Sequence, residues 1–463
     1  MNWIKKPVHR YGNGHSLAIK LALRNFTLEG AFANVFITFT GGAFITGLAL
    51  LLGANHLEIG LLAAIPFASQ LAQLVSGYIT WRFKSRKTAV LLISGVSRQI
   101  WWIVVLILLL DGEWRLQVLF VVVLLSNVGI MSATPSWLSW LADTVPEKLR
   151  GRYFGVRNAV LALVAVVSAL AGGVILDFFR ARNHENLGFL IIVAVSCLFA
   201  AFALRVIQKI PRNGDDDTPE RFSLQSLLEP LRNRSYRKLL KVFFVWNLAI
   251  GIAAAFFAPH MISNLEMSFT MISVYTGLAS VSAIVSNRAW GILIDRFGSK
   301  PVVALCAFGI AAIPFVWLFP RPDFLWILLI ETVYTGVLWA GFNLAAFNIP
   351  IANSPRRNRT NYLAMFSVVT GLAFFFASLI GGVLAEMWSD VSWRIGPQVI
   401  KNYHLVFIIS GILRLISASV ILSFHEHKEK SVPIMLQFMG YSALKRISLG
   451  RQFLPKLHKP DND

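Results

Sequence analysis

The chain has 463 residues, 56% of them hydrophobic and only 14% charged, with a mean hydropathy of +0.63 and a formal net charge of +20. A water-soluble domain carries roughly 25% charged residues, so this composition excludes an ordinary soluble protein. The two cysteines, Cys197 and Cys306, lie in separate apolar runs and supply neither a disulfide framework nor a metal site.

Residues 1–25 are basic and lack both an apolar core and a small-residue cleavage pattern, so the first apolar run is expected to direct membrane insertion. A bilayer span needs about 20 apolar residues. Six runs of that kind come first, at 26–53, 59–81, 88–110, 116–142, 158–179 and 187–207. Segment 208–241 follows, with an acidic bend at Asp215, Asp216 and Asp217 and then Phe222, Leu224, Leu227, Leu228 and Leu231 among basic residues. It reads as a linker ending in an interfacial amphipathic helix. Six more runs lie at 242–264, 269–294, 301–320, 324–352, 361–387 and 402–424, and a basic tail covers 425–463. The chain therefore divides into an N-terminal segment (1–25), a six-helix half (26–207), a linker (208–241), a second six-helix half (242–424) and a tail that reads as membrane-surface bound (425–463).

The basic excess follows the loops. Of the 43 Lys and Arg residues, 34 fall on the side of the two termini, six on the opposite side and three within spans. That asymmetry is the positive-inside pattern, and it predicts cytoplasmic termini in a plasma (inner) membrane. The charge is thus a topology signal and a contact for anionic lipid headgroups rather than a nucleic-acid surface. Trp101, Trp102, Trp114, Trp317, Trp326, Trp388 and Trp393 lie in the outer parts of spans or in outer loops, where most fit an aromatic belt.

The two halves repeat each other. Gly172-Gly173-Val-Ile-Leu-Asp177 returns 209 residues later as Gly381-Gly382-Val-Leu-Ala-Glu386, and the same offset sets Pro146 on Pro355, Arg150 on Arg359 and Tyr153 on Tyr362. At an offset of 214, Arg82-Phe-Lys84-Ser-Arg86 echoes Arg296-Phe297-Gly298-Ser-Lys300. The chain is read as two copies of one unit.

The loop after the eighth run, Gly291-Ile-Leu-Ile-Asp295-Arg296-Phe-Gly298-Ser-Lys300, resembles the Gly-x-x-x-Asp-Arg/Lys-x-Gly-x-Lys/Arg signature of the major facilitator superfamily. In the first half the equivalent loop departs from it. Gly77 is kept, but Trp81 stands at the Asp position and Lys84 at the second Gly, so that half is expected to lack the carboxylate latch there. Asp143-Thr-Val-Pro-Glu-Lys-Leu-Arg150-Gly-Arg152, between spans 4 and 5, is similar to the Asp…Arg-Gly-Arg connection of bacterial members. The resemblance covers roughly residues 16–424. It implies an all-α polytopic membrane protein with twelve transmembrane helices in two pseudo-symmetric six-helix halves. The implied activity is secondary active transport of a small solute by alternating access, ion (proton) coupled. No cofactor and no enzymatic role are implied, and the chain is taken as a monomer. A non-transporting member of the same fold, acting as an assembly factor or sensor, is the alternative.

In such a fold the signature residues Gly77, Arg82, Gly291, Asp295, Arg296, Gly298 and Lys300 would latch the halves. Gly291 would let two helices approach closely, and Asp295 would pair with Arg296 or a neighbouring cation. Asp143 with Arg150 and Arg152 would form a second latch or simply cap a helix and carry topology charge. The fifth span lacks the Gly-Pro-x-x-Gly-Gly element of proton/drug antiporters, and Lys209-Ile-Pro-Arg212 is not the sugar-porter signature. No Gly-x-x-x-x-Gly-Lys-Ser/Thr loop is present, which excludes an ATP motor of that type.

Polar groups within a bilayer are costly and mark function by default. With spans 1, 4, 7 and 10 lining the cavity of this family, the pathway candidates are Glu29, Asn34, Asn127, Asn247, His260, Glu331 and Asn343, joined by Arg288 on span 8. Glu331 has the depth of a desolvated carboxylate able to carry a proton. Glu29 reads either as a headgroup-level residue or as half of a salt bridge. Arg98, Arg288 and Arg414 are expected to be buried, with Arg288 the best-placed ligand for an anion and the other two paired.

Overall fold

Twelve helical stretches of the computed structural model are long and apolar enough to cross a bilayer. Spans 1–6 are Ile19–Leu51, His56–Val75, Arg86–Ile107, Arg115–Leu141, Tyr153–Arg180 and Glu185–Gln208. Spans 7–12 are Arg234–Asn264, Phe269–Phe297, Ser299–Val316, Ile327–Ala352, Asn361–Met387 and Asn402–Ile421. The structure describes residues 13–83, 85–146, 149–211, 224–355, 359–423, 433–435 and 437–438. The acidic bend and the side chains of Trp81, Arg150 and Arg152 lie outside the described residues. An even number of crossings puts both ends of the bundle on one side, called here the terminal side; the opposite side is the far side.

Local chemistry sets the breaks. Span 1 is interrupted after Phe39, where Gly42 takes a φ of 53° and a second helix runs Gly42–Leu51. Span 2 starts on a capping box: Glu58 N donates to Asn55 Oδ1 and Asn55 N donates to Glu58 Oε2, both at 2.8 Å. Span 7 begins earlier than its apolar run because Asn233 Oδ1 accepts from the N–H groups of Ser235 and Tyr236 at 3.1 Å. The turns this adds bury Tyr236, Leu239 and Leu240. Span 8 ends at Gly298, whose φ of 92° is open to glycine and whose N–H returns to Ile294 O at 2.9 Å.

Large aliphatic side chains such as Val96, Leu109 and Leu163 face outward, as a lipid solvent allows. On the far side a hairpin, β1 (Ser392–Ile395) and β2 (Gln398–Lys401), straps spans 11 and 12. On the terminal side the tail returns to the C-terminal half. Met435 is buried in its core, and the Phe438 ring lies 5.4 Å from Phe297 with the Arg296 guanidinium 4.0 Å above it.

Two sequence expectations are corrected here. Trp101 and Trp317 are core residues rather than belt residues, and Trp101 Nε1 donates to Ser126 Oγ at 2.9 Å. Trp102, Trp114, Trp326 and Trp393 are exposed. Gly291 does not bring two helices together: a β-carbon there would meet nothing within 4 Å. It lies towards the terminal-side end of span 8.

Candidate functional site: a far-side seam and a mid-span cavity

The halves meet through two joints towards the far side. At the end of span 5, Asp177 Oδ1 and Oδ2 accept the Phe269 and Thr270 N–H groups that open span 8, each at 2.8 Å. At the end of span 11, Glu386 Oε2 accepts the His56 N–H that opens span 2, at 3.0 Å. Each carboxylate thus caps a helix of the other half. The paired glycines give these helices their close approach. A β-carbon on Gly173 would lie 2.8 Å from Phe269 O, and one on Gly60 would lie 2.7 Å from Ser378 O. Deeper in, Ser273 Oγ donates to Ala169 O at 2.7 Å, and the Phe67 and Phe374 rings stack at 3.7 Å.

Past those joints, a cavity of about 630 Å³ lies around the middle of spans 8 and 10. Ser280, Asn287, Thr335, Trp339, Asn343 and Phe347 line it. The Asn343 and Asn287 side chains are exposed into it. Other candidate amides are spent on helix backbone: Asn34 Nδ2 on Leu161 O at 2.5 Å, Asn127 Nδ2 on Val123 O at 2.8 Å and Asn247 Nδ2 on Phe243 O at 2.7 Å. Asn343 therefore separates from its three companions.

Glu331 sits one turn beyond the cavity toward the far side and is 3% exposed. It accepts hydrogen bonds from Tyr275 Oη at 2.7 Å and from Thr335 Oγ1, itself a cavity-lining group. Trp317 Nε1 points toward the same carboxyl without a hydrogen bond of normal geometry. Among the described residues Glu331 has no ion pair, so it is a carboxyl held by hydroxyls and connected to the cavity through Thr335. Such a group can gain or lose a proton without breaking a salt bridge.

The remaining candidates are dispersed. Glu29 is buried and pairs with Arg98 at 3.3 Å. His260 is fully buried near the far side, with Nδ1 3.0 Å from Asn264 Nδ2 and its ring 4.9 Å from that of His404. Arg414 is buried and donates from Nη1 to Ile310 O at 3.4 Å. Arg288 is not buried: it is exposed, beside Asn287. Neighbouring residues of a helix point about 100° apart, so Arg288 faces away from the cavity wall that Asn287 lines.

Among the latch candidates, Asp143 bonds Arg86 Nη1 at 2.6 Å across the start of span 3. The first-half loop therefore has a carboxylate after all, supplied by span 4 instead of by position 81. Arg296 rests on Phe438 rather than on Asp295, and Asp295 has no ion pair among the described residues. Arg82 and Asp295 are exposed.

Sequence reasoning missed three things. It noted the Gly-Gly…Asp/Glu repeat without seeing that its last residue caps a helix in the other half. It missed Tyr275 and Thr335, ordinary helix residues whose i, i+4 spacing from Glu331 would have flagged Thr335. It left Arg157 in a loop because the apolar run begins at 158, although helix Arg150–Arg180 buries it.

Twelve apolar helices in two six-helix halves, fastened to each other towards the far side and carrying a cavity between spans 8 and 10, have the architecture of a membrane transporter. The chain belongs to the major facilitator superfamily, whose family model matches residues 30–286 and 249–447. Multidrug resistance protein 2 of Bacillus subtilis is 20% identical over 87% of this chain and 96% of its own length. Among solved structures, the D-xylose–proton symporter superposes with a TM-score of 0.66 at 16% identity, covering 89% of this chain and 99% of that one. The nucleoside transporter NupG gives 0.61 at 14% identity, covering 89% and 100%. At these identities the structures establish the shared fold. The protein is an integral multi-pass membrane transporter of a small molecule.

Proposed function

We propose that the protein is a secondary active transporter in which proton binding at Glu331 is coupled to solute binding in the cavity of spans 8 and 10. The structure then represents the state open toward the termini, and the basic loops argue that this side is the cytoplasm of a plasma (inner) membrane. The observation that carries the reading is the buried, unpaired Glu331 joined to the cavity wall through Thr335. Solute seated against Thr335 and Asn343 changes the hydrogen bonding, and so the proton affinity, of that carboxyl. Alternating access follows if the far-side joints open as the terminal side closes. The solute class is open between the drugs named for one relative and the sugar or nucleoside named for the two structures.

The test uses purified protein in proteoliposomes with a pH gradient and three probes: tetraphenylphosphonium, xylose and uridine. Gradient-driven accumulation of one probe is expected for the parent. Glu331→Gln should lose that accumulation while retaining exchange of the same probe without a gradient. Accumulation at the parent rate in Glu331→Gln would remove Glu331 from the coupling.

A further inference from the structure

The buried charges of the N-terminal half do not balance. Its terminal-side interior holds Glu29, Arg98 and Arg157, at 2%, 12% and 8% exposure. Glu29 Oε1 takes both Nη atoms of Arg98 at 3.3 Å. Arg157 forms no ion pair among the described residues, and its Nε has no hydrogen-bond partner. A buried guanidinium without a counter-charge is strongly unfavourable.

The surroundings of Arg157 are rich in donors and poor in acceptors. Its guanidinium lies 5.1 Å from the centre of the Trp137 ring on span 4. It also rests against span 1 at Gly30, where a β-carbon would come within 2.6 Å of Nη2. Trp137 Nε1 and Trp140 Nε1 are likewise buried without partners, and Phe26 packs between them at ring distances of 6.4 and 5.2 Å. The one nearby acceptor among the described residues is the Tyr153 hydroxyl, one turn before Arg157: it faces the guanidinium, accepts from Thr27 Oγ1 at 3.3 Å and donates to Leu23 O at 3.1 Å. Spans 4 and 5 pack on other helices rather than on each other. The Arg157 side chain therefore reaches across the space between them. Three orphaned N–H donors and one surplus positive charge call for a ligand that only accepts.

We propose that Arg157, seated against Gly30 and joined by the Trp137 indole N–H, forms a site for an oxyanion, a carboxylate or phosphate group entering from the terminal side. A guanidinium fork binds such a group through two parallel charge-assisted hydrogen bonds. The anion comes either from a free solute or from a lipid headgroup. The site stands apart from Glu331 and does not need proton coupling.

The full-length protein is tested in nanodiscs at constant ionic strength, by thermal unfolding and by circular dichroism for fold. One arm uses phosphatidylcholine discs with sodium phosphate or sodium acetate against sodium chloride. The other compares phosphatidylcholine discs with discs containing phosphatidylglycerol, in chloride. An upward shift of Tm in the first arm identifies a free anion, and one confined to the second identifies a headgroup phosphate. Either shift should vanish in Arg157→Gln. Arg157→Lys and Trp137→Phe keep the charge or the ring and should weaken the half-saturating concentration by roughly tenfold, the loss of one charge-assisted hydrogen bond. No shift in either arm, or shifts unchanged in Arg157→Lys and Trp137→Phe, overturns the site.

Discussion

The two far-side joints are built from the same duplicated element and do not work alike. In the joint of spans 5 and 8, Asp177 is half-buried and holds two N–H groups at 2.8 Å. In the joint of spans 2 and 11, Glu386 is exposed and holds one at 3.0 Å. The difference traces to the helix being capped. Span 2 already satisfies its first turn with the Asn55–Glu58 capping box, so little is left for Glu386. Span 8 has only Ser268, which accepts from Met271 N at 3.2 Å. The second joint compensates with a side-chain layer: His56 Nδ1 lies 2.8 Å from Tyr403 Oη, and His56 Nε2 lies 3.0 Å from Asn402 Nδ2. One joint is a charge on a helix end; the other is a polar cluster around a histidine. Duplication preserved the close approach and let the fastening diverge.

The largest effect is expected from the glycines. Gly173→Val sets side-chain carbon against backbone atoms at 2.8–2.9 Å, so the first joint cannot close as it does here. Far-side thiol labelling of a Ser268→Cys reporter should rise, and transport should fall by at least about tenfold, the effect of roughly 1.4 kcal/mol or more on the closed state. Gly382→Val meets its nearest atoms at 3.2–3.4 Å and should do less. Equal loss in the two variants would break the asymmetry.

The carboxylates come next. Asp177→Asn should shift the far-side equilibrium toward opening by about tenfold, the worth of a charged cap of 1–2 kcal/mol. Glu386→Gln should shift it only two- to threefold, a few tenths of a kcal/mol for an exposed group. Spin-label distances across the far side measure both, and a larger shift for Glu386→Gln would reverse the comparison. Tyr403→Phe removes the hydroxyl that holds His56 and should cost about 1 kcal/mol of closure. The same substitution should leave the first joint untouched. Smallest of all is Arg86→Gln, on the terminal side. Its partner Asp143 is half-exposed, so unfolding and far-side distances should change by no more than about 0.5 kcal/mol.

Much of this architecture was legible in the chain. Hydrophobic run length finds spans whatever their neighbours, because the bilayer sets the length. The repeat was visible because duplicated glycines and carboxylates survive at fixed offsets. What each repeated residue touches was not, since the partners of Asp177 and Glu386 lie in the opposite half and local spacing carries no record of them. Arg157 escaped because a charged residue at the edge of an apolar run reads as loop, while the helix that buries it starts at Arg150. Glu331 was found by its cost in lipid, but its holders, Tyr275 and Thr335, are common in any helix. Arg288 went the other way: charge within a span suggested burial, whereas it is exposed beside the cavity wall.

The carboxylate caps cross between halves in both directions, and that bears on how the chain is made. Span 2 leaves the ribosome long before Glu386, which follows His56 by 330 residues. Span 8 is different, because Asp177 is already in place when its first turn is synthesised. The first half must therefore wait in the membrane with one helix end lacking its partner until the eleventh span arrives. The second half inserts onto a template that is ready. Co-expressed as two separate fragments, each half would act as the assembly template for the other.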